Sequence, residues 1–327
     1  EVYSIDESFL DLTSFQSRDL IRYSQHMRQR ILRWTGLPVC VGIASTKTLS
    51  KLANHCAKKR KAFNSVCNFN TMPANDLDDL LGQIDVGEIW GVGRKLAPKL
   101  QALGLNTVLD LKRASPERLR QQFSVVMEKT IRELNGTVCI EMEEIAPVKQ
   151  QILSSRSFGY PVTDYESLAQ SVTLYTSTAA GRLRKQCSFA GAIQVFITTS
   201  PFKPDEPFYS NAMTIALPSP TQDSRTLVNA VLWGLKQLYK PNYPYVKAGV
   251  MLTELVPMAG VQTDLFSQTT ASPKSTALMT AMDSINRKMG KETIKLASEG
   301  FARPWKMKQG NKSPSYTSHW EEILSVN

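Results

Sequence analysis

Asp6 and Glu7 stand side by side in EVYSIDESFLDL (residues 1–12), and adjacent carboxylates point to one particular chemistry. Paired hard oxygen donors suit a divalent cation such as Mg²⁺, which keeps coordination positions open for phosphate oxygens. Downstream, Lys47, Lys51 and Lys58 lie at offsets of 0, +4 and +11 in a stretch of helical spacing. At about 100° per residue they fall within roughly 40° of one another around the helix axis. Paired acids near a row of ammonium groups fit metal-assisted chemistry on a polyanion. The local residues leave a second reading open, in which Asp6 is a turn residue and Glu7 an exposed acid at a strand end.

The charge is unevenly spread. The 327 residues carry a formal net charge of +10, yet residues 1–20 hold five carboxylates against Arg18 alone. Residues 22–61 hold ten Lys or Arg and no acid. A polyanionic partner explains that block, and so does a solvated basic face. The five cysteines include no C-x-x-C pair and the three histidines are dispersed. That pattern argues against a Cys/His zinc site and fits a reducing cytosol. No apolar run approaches the roughly 18–20 residues of a membrane span, and no signal peptide is visible. The chain starts with Glu inside a strand-like run, so we expect an upstream part to be missing.

The carboxylates need an element that lets them converge. Tyr3, Ile5 and Phe9 alternate like a buried strand, and neighbours in a regular strand point to opposite faces. Asp6 and Glu7 converge only if that strand bends or bulges. A helix is expected over 17–35, a strand over 37–46 and a second helix over 47–61, capped by Ser45 or Thr46. Leu49, Leu52, Ala53 and Cys56 form the second helix's apolar stripe.

Short helices follow over 76–145. Within them, DVGEIWGVGRKLAPKLQALGLNTVLDL (85–111) has the arrangement of a helix–hairpin–helix. Gly91, Val92 and Gly93 allow close approach of a phosphate, with Arg94, Lys95 and Lys99 beside them. A purely structural helical hairpin is the alternative. Residues 143–150 (EEIAPVKQ) read as a linker, and 151–257 as a βαββαβ unit with helices on one sheet face. Its polar alternates Ser155, Ser157, Thr198, Lys203, Ser210 and Lys247 suit a nucleic-acid backbone and equally suit solvent. Beyond Pro257 the chain is rich in Ser, Thr, Gln and Lys, with one helix expected over 278–298. QTDLF (262–266) in that stretch is shaped like a docking peptide, with two apolar anchors and a polar head.

In this order and spacing, YSIDESFLDL, VCVGIASTKTLSKLANHCAKK and the hairpin block resemble a Y-family translesion DNA polymerase. The resemblance runs over nearly the whole chain, to the closing SPSYTSHWEEIL. It implies an α+β multidomain fold. Residues 1–75 would be a partial palm on a mixed α/β sheet, lacking its first strand and the fingers. Residues 76–150 would be a helical thumb, 151–257 a little finger, and 258–327 a flexible C-terminal tail.

The resemblance also assigns roles. Asp6 and Glu7 would hold two Mg²⁺ ions, with a third carboxylate ligand outside this chain. Lys58 and Lys51 would meet the incoming nucleotide. Gly91, Val92, Gly93, Arg94, Lys95 and Arg156 would contact DNA, while Gln262, Leu265 and Phe266 would dock on the β sliding clamp. The implied activity is error-prone, template-directed translesion synthesis in the SOS response to DNA damage. Implied partners are primer–template DNA, deoxynucleoside triphosphates, the clamp, a UmuD-like dimer and a RecA filament, in the bacterial cytoplasm at the nucleoid and without a membrane. With one family carboxylate missing, the chain alone is expected to be inactive. His55 departs from the acid that more processive relatives often carry there. A DNA-binding module without catalysis and a clamp-tethered adaptor are the competing readings.

Overall fold

The computed structural model describes residues 1–15, 18–143, 148–258, 273–316 and 319–323. They belong to two compact units, Glu1–Ala146 and Pro147–Asn327.

The first unit departs at once from the strand expected over residues 1–12. The segment folds back on itself through a single antiparallel bridge between Val2 and Ser8, with a bend over residues 4–6. The N–H groups of Tyr3 and Ser4 both donate to the Glu7 carbonyl. No described strand lies beside this segment, so its backbone groups pair locally instead. Ile5, read as buried, is fully exposed.

Helix α1 (Leu20–Thr35) starts where the Asp19 carboxylate accepts from the N–H groups of Ile21 and Arg22. Its apolar residues Ile21, Ile31 and Leu32 remain exposed. Strand β1 (Val41–Ile43) is much shorter than the span expected from the sequence. Helix α2 (Lys47–Lys59) is capped by Thr46, whose hydroxyl accepts from the Leu49 N–H. Leu49, Leu52, Ala53 and Cys56 are buried, as their spacing requires. The chain returns in β2 (Val66–Asn68), parallel to β1, an element the sequence analysis does not anticipate.

Five short helices complete this unit: α3 (Ala74–Gly82), α4 (Ala97–Gln101), α5 (Val108–Arg113), α6 (Pro116–Gln122) and α7 (Val125–Leu134). Helix α5 opens on a capping box between Thr107 and Asp110. One hydrophobic core runs from Leu49 and Cys67 through Leu81, Val92 and Leu111 to Ile131 and Leu134, across the 75/76 boundary expected from the sequence.

The second unit has the expected βαββαβ order: β3 (Ile152–Val162), α8 (Tyr165–Lys185), β4 (Ser188–Thr199), β5 (Ser210–Thr221), α9 (Ser224–Leu238) and β6 (Tyr245–Pro257). The sheet order is β3–β6–β4–β5 and every pair is antiparallel. Helices α8 and α9 bury Leu168, Val172, Leu227 and Val231 against Ile193, Val195, Val250 and Leu252 of the sheet.

The flexible tail expected over 258–327 needs correction. Helix α10 (Pro273–Lys288) buries Met279, and beyond it Trp305 is only 2% exposed. The Trp305 ring meets Phe158 and Tyr175 edge-on at 6.2 and 6.1 Å within the unit's core. Arg184 of α8 holds Asp283 of α10 through two hydrogen bonds of 2.6 and 2.8 Å. Buried Arg303 pairs with Glu292 and Glu299. Apolar anchors and ion pairs therefore fix this stretch despite its polar composition. The QTDLF peptide lies outside the described residues. No described helix is long and apolar enough to cross a membrane.

Asp223 caps α9 and accepts from Arg225 and from the hydroxyl of Ser275 in the first turn of α10. Burial alone would raise its carboxyl, but the hydrogen bonds from Arg225 and Ser275 outweigh burial and hold it down to about 2. A depressed folded-state value makes the stabilisation full above the ordinary aspartate value of 3.8 and lost as pH falls toward 2. Asp223→Asn should therefore lower the melting temperature at neutral pH. The gap to the unmodified chain should close as melting curves are taken down to about pH 2.

Candidate functional site

Helix α2 positions most of the expected site, and three contacts position α2. A Cβ on Gly42 of β1 would come within 2.1 Å of the Asn54 backbone nitrogen and 2.2 Å of the Ser50 carbonyl, so only glycine permits this approach. At the other end, the fully buried Glu133 carboxylate of α7 accepts from the Thr48 N–H at 2.9 Å. The same carboxylate accepts from the N–H groups of Cys139 and Ile140 at 2.9 and 3.0 Å. The Thr46 hydroxyl donates to the Glu133 carbonyl.

The three lysines on this helix meet different fates. Lys47, 7% exposed, donates to the Glu1 carboxylate and to the Glu141 carbonyl. The Lys47 hydrogen bond, with a lesser one from the Glu143 N–H, lowers the Glu1 carboxyl below its ordinary range. Lys51 donates to the Glu7 carboxylate at 2.9 Å. Its ammonium lies 4.5 Å from the Tyr3 ring centroid and 4.9 Å from that of Trp90. Lys58 is exposed and has no ion pair among the described residues. The continuous ammonium row read from the sequence is thus corrected: two of its members are neutralised inside the unit, and Lys58 alone stays available to an anion.

Asp6 and Glu7 are each held by a different partner. Asp6 is exposed and accepts from the Ser4 hydroxyl at 2.6 Å, while Glu7 is taken by Lys51. Among the described residues no group of three or more His, Cys, Asp or Glu is placed to hold a metal ion. The two acids are suitable hard donors, but as placed they do not fit a two-ion centre. His55 faces Glu88, with Nδ1 3.4 Å from its carboxylate.

The hairpin is better formed. Gly91 adopts φ +91°, a left-handed conformation that glycine takes without strain. Gly93 has an ordinary φ, and its carbonyl accepts from the N–H groups of Leu96 and Ala97. Val92 is buried in the core, so the loop is anchored by its middle residue. Arg94 and Lys95 stand exposed on the adjoining turn, with no ion pair among the described residues.

On the second unit, Ser157, Lys247, Thr198 and Ser210 line up in register across all four strands. Arg156 alternates with Ser155 and Ser157, so the pleat puts it on the face of Ile152, Ser154 and Phe158 instead. Its guanidinium donates to the Ser155 carbonyl at 2.9 Å. Lys203 is paired with Glu206.

Sequence reasoning missed the box of Tyr3, Phe9 and Trp90. Tyr3 and Trp90 meet edge-on at 5.3 Å, and the indole N–H donates to the Tyr3 hydroxyl at 3.1 Å. Trp90 directly precedes Gly91, so the acid-bearing turn is attached to the hairpin itself. It missed Glu133 as well, because a lone Glu in a short helix carries no sign that it will be buried.

Comparison with known proteins follows the same segments. The impB/mucB/samB family model matches residues 1–55, the IMS family HHH motif 74–105, and the impB/mucB/samB family C-terminal domain 149–265. The chain is 43% identical to the UmuC protein of Salmonella typhimurium over 100% of its own length and 77% of the relative's. The chain belongs to the impB/mucB/samB family. ImpB of Salmonella typhimurium is 42% identical over 99% of the chain and 76% of its own. DNA polymerase IV of Clostridium acetobutylicum is 25% identical over 90% of the chain and 71% of its own. A solved Y-family DNA polymerase chimera shares the fold with a TM-score of 0.53 and 20% identity, covering 79% of this chain and 71% of its own. Residues 276–326 match a domain of unknown function.

Replacing Trp90 by Leu removes the edge-on ring contact, the indole donor and one wall around Lys51. We expect the Tyr3 and Ser4 amides to exchange with solvent about 10-fold faster, or about 1.4 kcal/mol of local opening. Hydrogen exchange followed by NMR checks this, with the buried Leu111 amide unchanged as control.

Proposed function

We propose that this chain is the DNA-handling part of an error-prone Y-family DNA polymerase that carries out template-directed translesion synthesis in the SOS response. The observation that carries the reading is a glycine hairpin whose Arg94 and Lys95 have no ion pair among the described residues, joined through Trp90 and Tyr3 to the turn that bears the acid pair, in a member of this family. The names of its more distant relatives, DNA polymerase IV, are in keeping with it.

In this reading residues 1–75 are part of the palm, 76–150 the thumb, 151–257 the little finger and 258–327 a C-terminal extension. Backbone N–H groups at Gly91 and Gly93, with Arg94 and Lys95, hold DNA phosphates, while Val92, whose N–H donates to the Ile89 carbonyl, anchors the loop between them. The Ser157, Lys247, Thr198 and Ser210 row faces the DNA from the open face of the sheet, while Arg156 stands on the opposite face beside the β3 edge. Lys58 neutralises phosphate charge on the incoming nucleotide. Gln262, Leu265 and Phe266 dock on the β sliding clamp. A UmuD-like dimer and a RecA filament complete the partners, in the bacterial cytoplasm at the nucleoid.

Asp6 and Glu7 are the acids of this chain that would serve a Mg²⁺ centre once freed from their present partners. Because Glu7 rests on Lys51 and Asp6 on Ser4, the chain by itself does not assemble that centre. A primer-extension assay with Mg²⁺ and all four deoxynucleotides should therefore yield no product from this chain, and robust synthesis would refute the assignment. Duplex binding should be present nonetheless. The double variant Arg94→Ala, Lys95→Ala should weaken it by about 10-fold at low salt, since each lost phosphate contact removes counterion release. Fluorescence anisotropy with a labelled primer–template measures this, and unchanged affinity would remove the hairpin from the interface.

A further inference from the structure

The region that matches a domain of unknown function, residues 276–326, has no role in the reading above. Its described part is a strap fixed to the second unit. Trp305 anchors it in the core, α10 is clasped through Asp283, and Arg303 is buried on Glu299.

The anchor fixes where the next residues lie. The Gly159 N–H of edge strand β3 donates to the Trp305 carbonyl at 3.2 Å. A Cβ on Gly159 would come within 2.5 Å of the Lys306 carbonyl and 3.3 Å of the Lys308 side chain. The strap backbone therefore runs in contact with β3 at this point. Arg156 is exposed on the same strand, on the face of Phe158, whose ring meets Trp305. Further along, exposed Arg182 of α8 donates to the Leu153 carbonyl of β3 at 3.1 Å.

The strap carries more cations than its acids pair: up to Lys308 only Arg303 is in an ion pair among the described residues, and Lys306 and Lys308 are the two of the remainder that follow Trp305 along β3. Its acids before Lys308 are Asp283, Glu292 and Glu299, and each is held by an arginine. Lys306 and Lys308 are exposed and have no ion pair among the described residues. Leu153 and Gly159 are six residues apart, about 20 Å of strand. Measured along the axis of a DNA duplex, that length spans about six phosphates of each strand.

We propose that Lys306 and Lys308, with Arg156 and Arg182, form a cationic rim along the outer edge of β3 that binds the phosphates of duplex DNA. The strap is thus an extension of the nucleic-acid surface, held in place by Trp305. The proposal rests on the DNA-binding reading given above and adds to it a contact outside the hairpin and the open sheet face.

The test uses the 327-residue chain and a short fluorescein-labelled duplex, titrated by anisotropy across a salt series. The double variant Lys306→Gln, Lys308→Gln should lower affinity about 10-fold at low salt. It should also flatten the slope of log K against log salt by about 2, with an unchanged melting temperature. An unchanged slope and affinity, while Arg94→Ala, Lys95→Ala still weakens binding, would overturn the rim and leave the hairpin reading standing. Failure of the unmodified chain to bind duplex at all would overturn both.

Discussion

Helix α2 rests on β1 with no room for a side chain between them, and the first unit is arranged around that contact. Gly42 lets the helix backbone approach, and buried Leu52, Ala53 and Cys56 hold it there. The Glu133 carboxylate reaches from α7 to the helix N-terminus, where unpaired N–H groups and the helix dipole favour an anion. Because that carboxylate also takes two N–H groups of the following loop, it binds α2, α7 and residues 139–140 into one piece. The positions of Lys47, Lys51 and Lys58 then follow from helical geometry alone.

Electrostatics decides which of those lysines stays free. An exposed ion pair is worth little by itself, about 0–1 kcal/mol. The Lys51–Glu7 pair has further support, since aromatic faces attract a cation by their quadrupoles and Tyr3 and Trp90 both lie against the ammonium. Trp90 thereby belongs to two structures at once, the wall around Lys51 and the turn leading into Gly91. The turn carrying Asp6 and Glu7 is held by aromatic contact and one ion pair rather than by a sheet.

Elements with local signals were legible in the sequence. Helix α2 announced itself through Thr46 and an apolar stripe at 3.6-residue spacing. The βαββαβ unit did so through long alternating strands and the aspartate caps Asp164 and Asp223. Strand β2 escaped because Val66–Asn68 is three residues long, buried throughout, and has no alternation to detect. The turn at Asp6 escaped for the opposite reason. Its residues alternate like a strand, but a strand needs a neighbour, and whether one exists is not written in the segment itself. Contacts between remote positions were out of reach altogether. Tyr3 and Trp90 are 87 positions apart, and Trp305 sits in a polar run where nothing marks it as core.

The docking of the strap on β3 bears on solubility. A four-stranded open sheet has two borders, and each bare row of N–H and C=O groups is a template on which a second molecule can add a strand. At one border the Trp305 carbonyl occupies the Gly159 N–H and the strap backbone lies across that place. At the other, β5 carries Pro218 and Pro220, neither of which has an N–H to offer. Both flanks of the sheet are thereby blunted against lateral growth into aggregates, one by covering and one by composition.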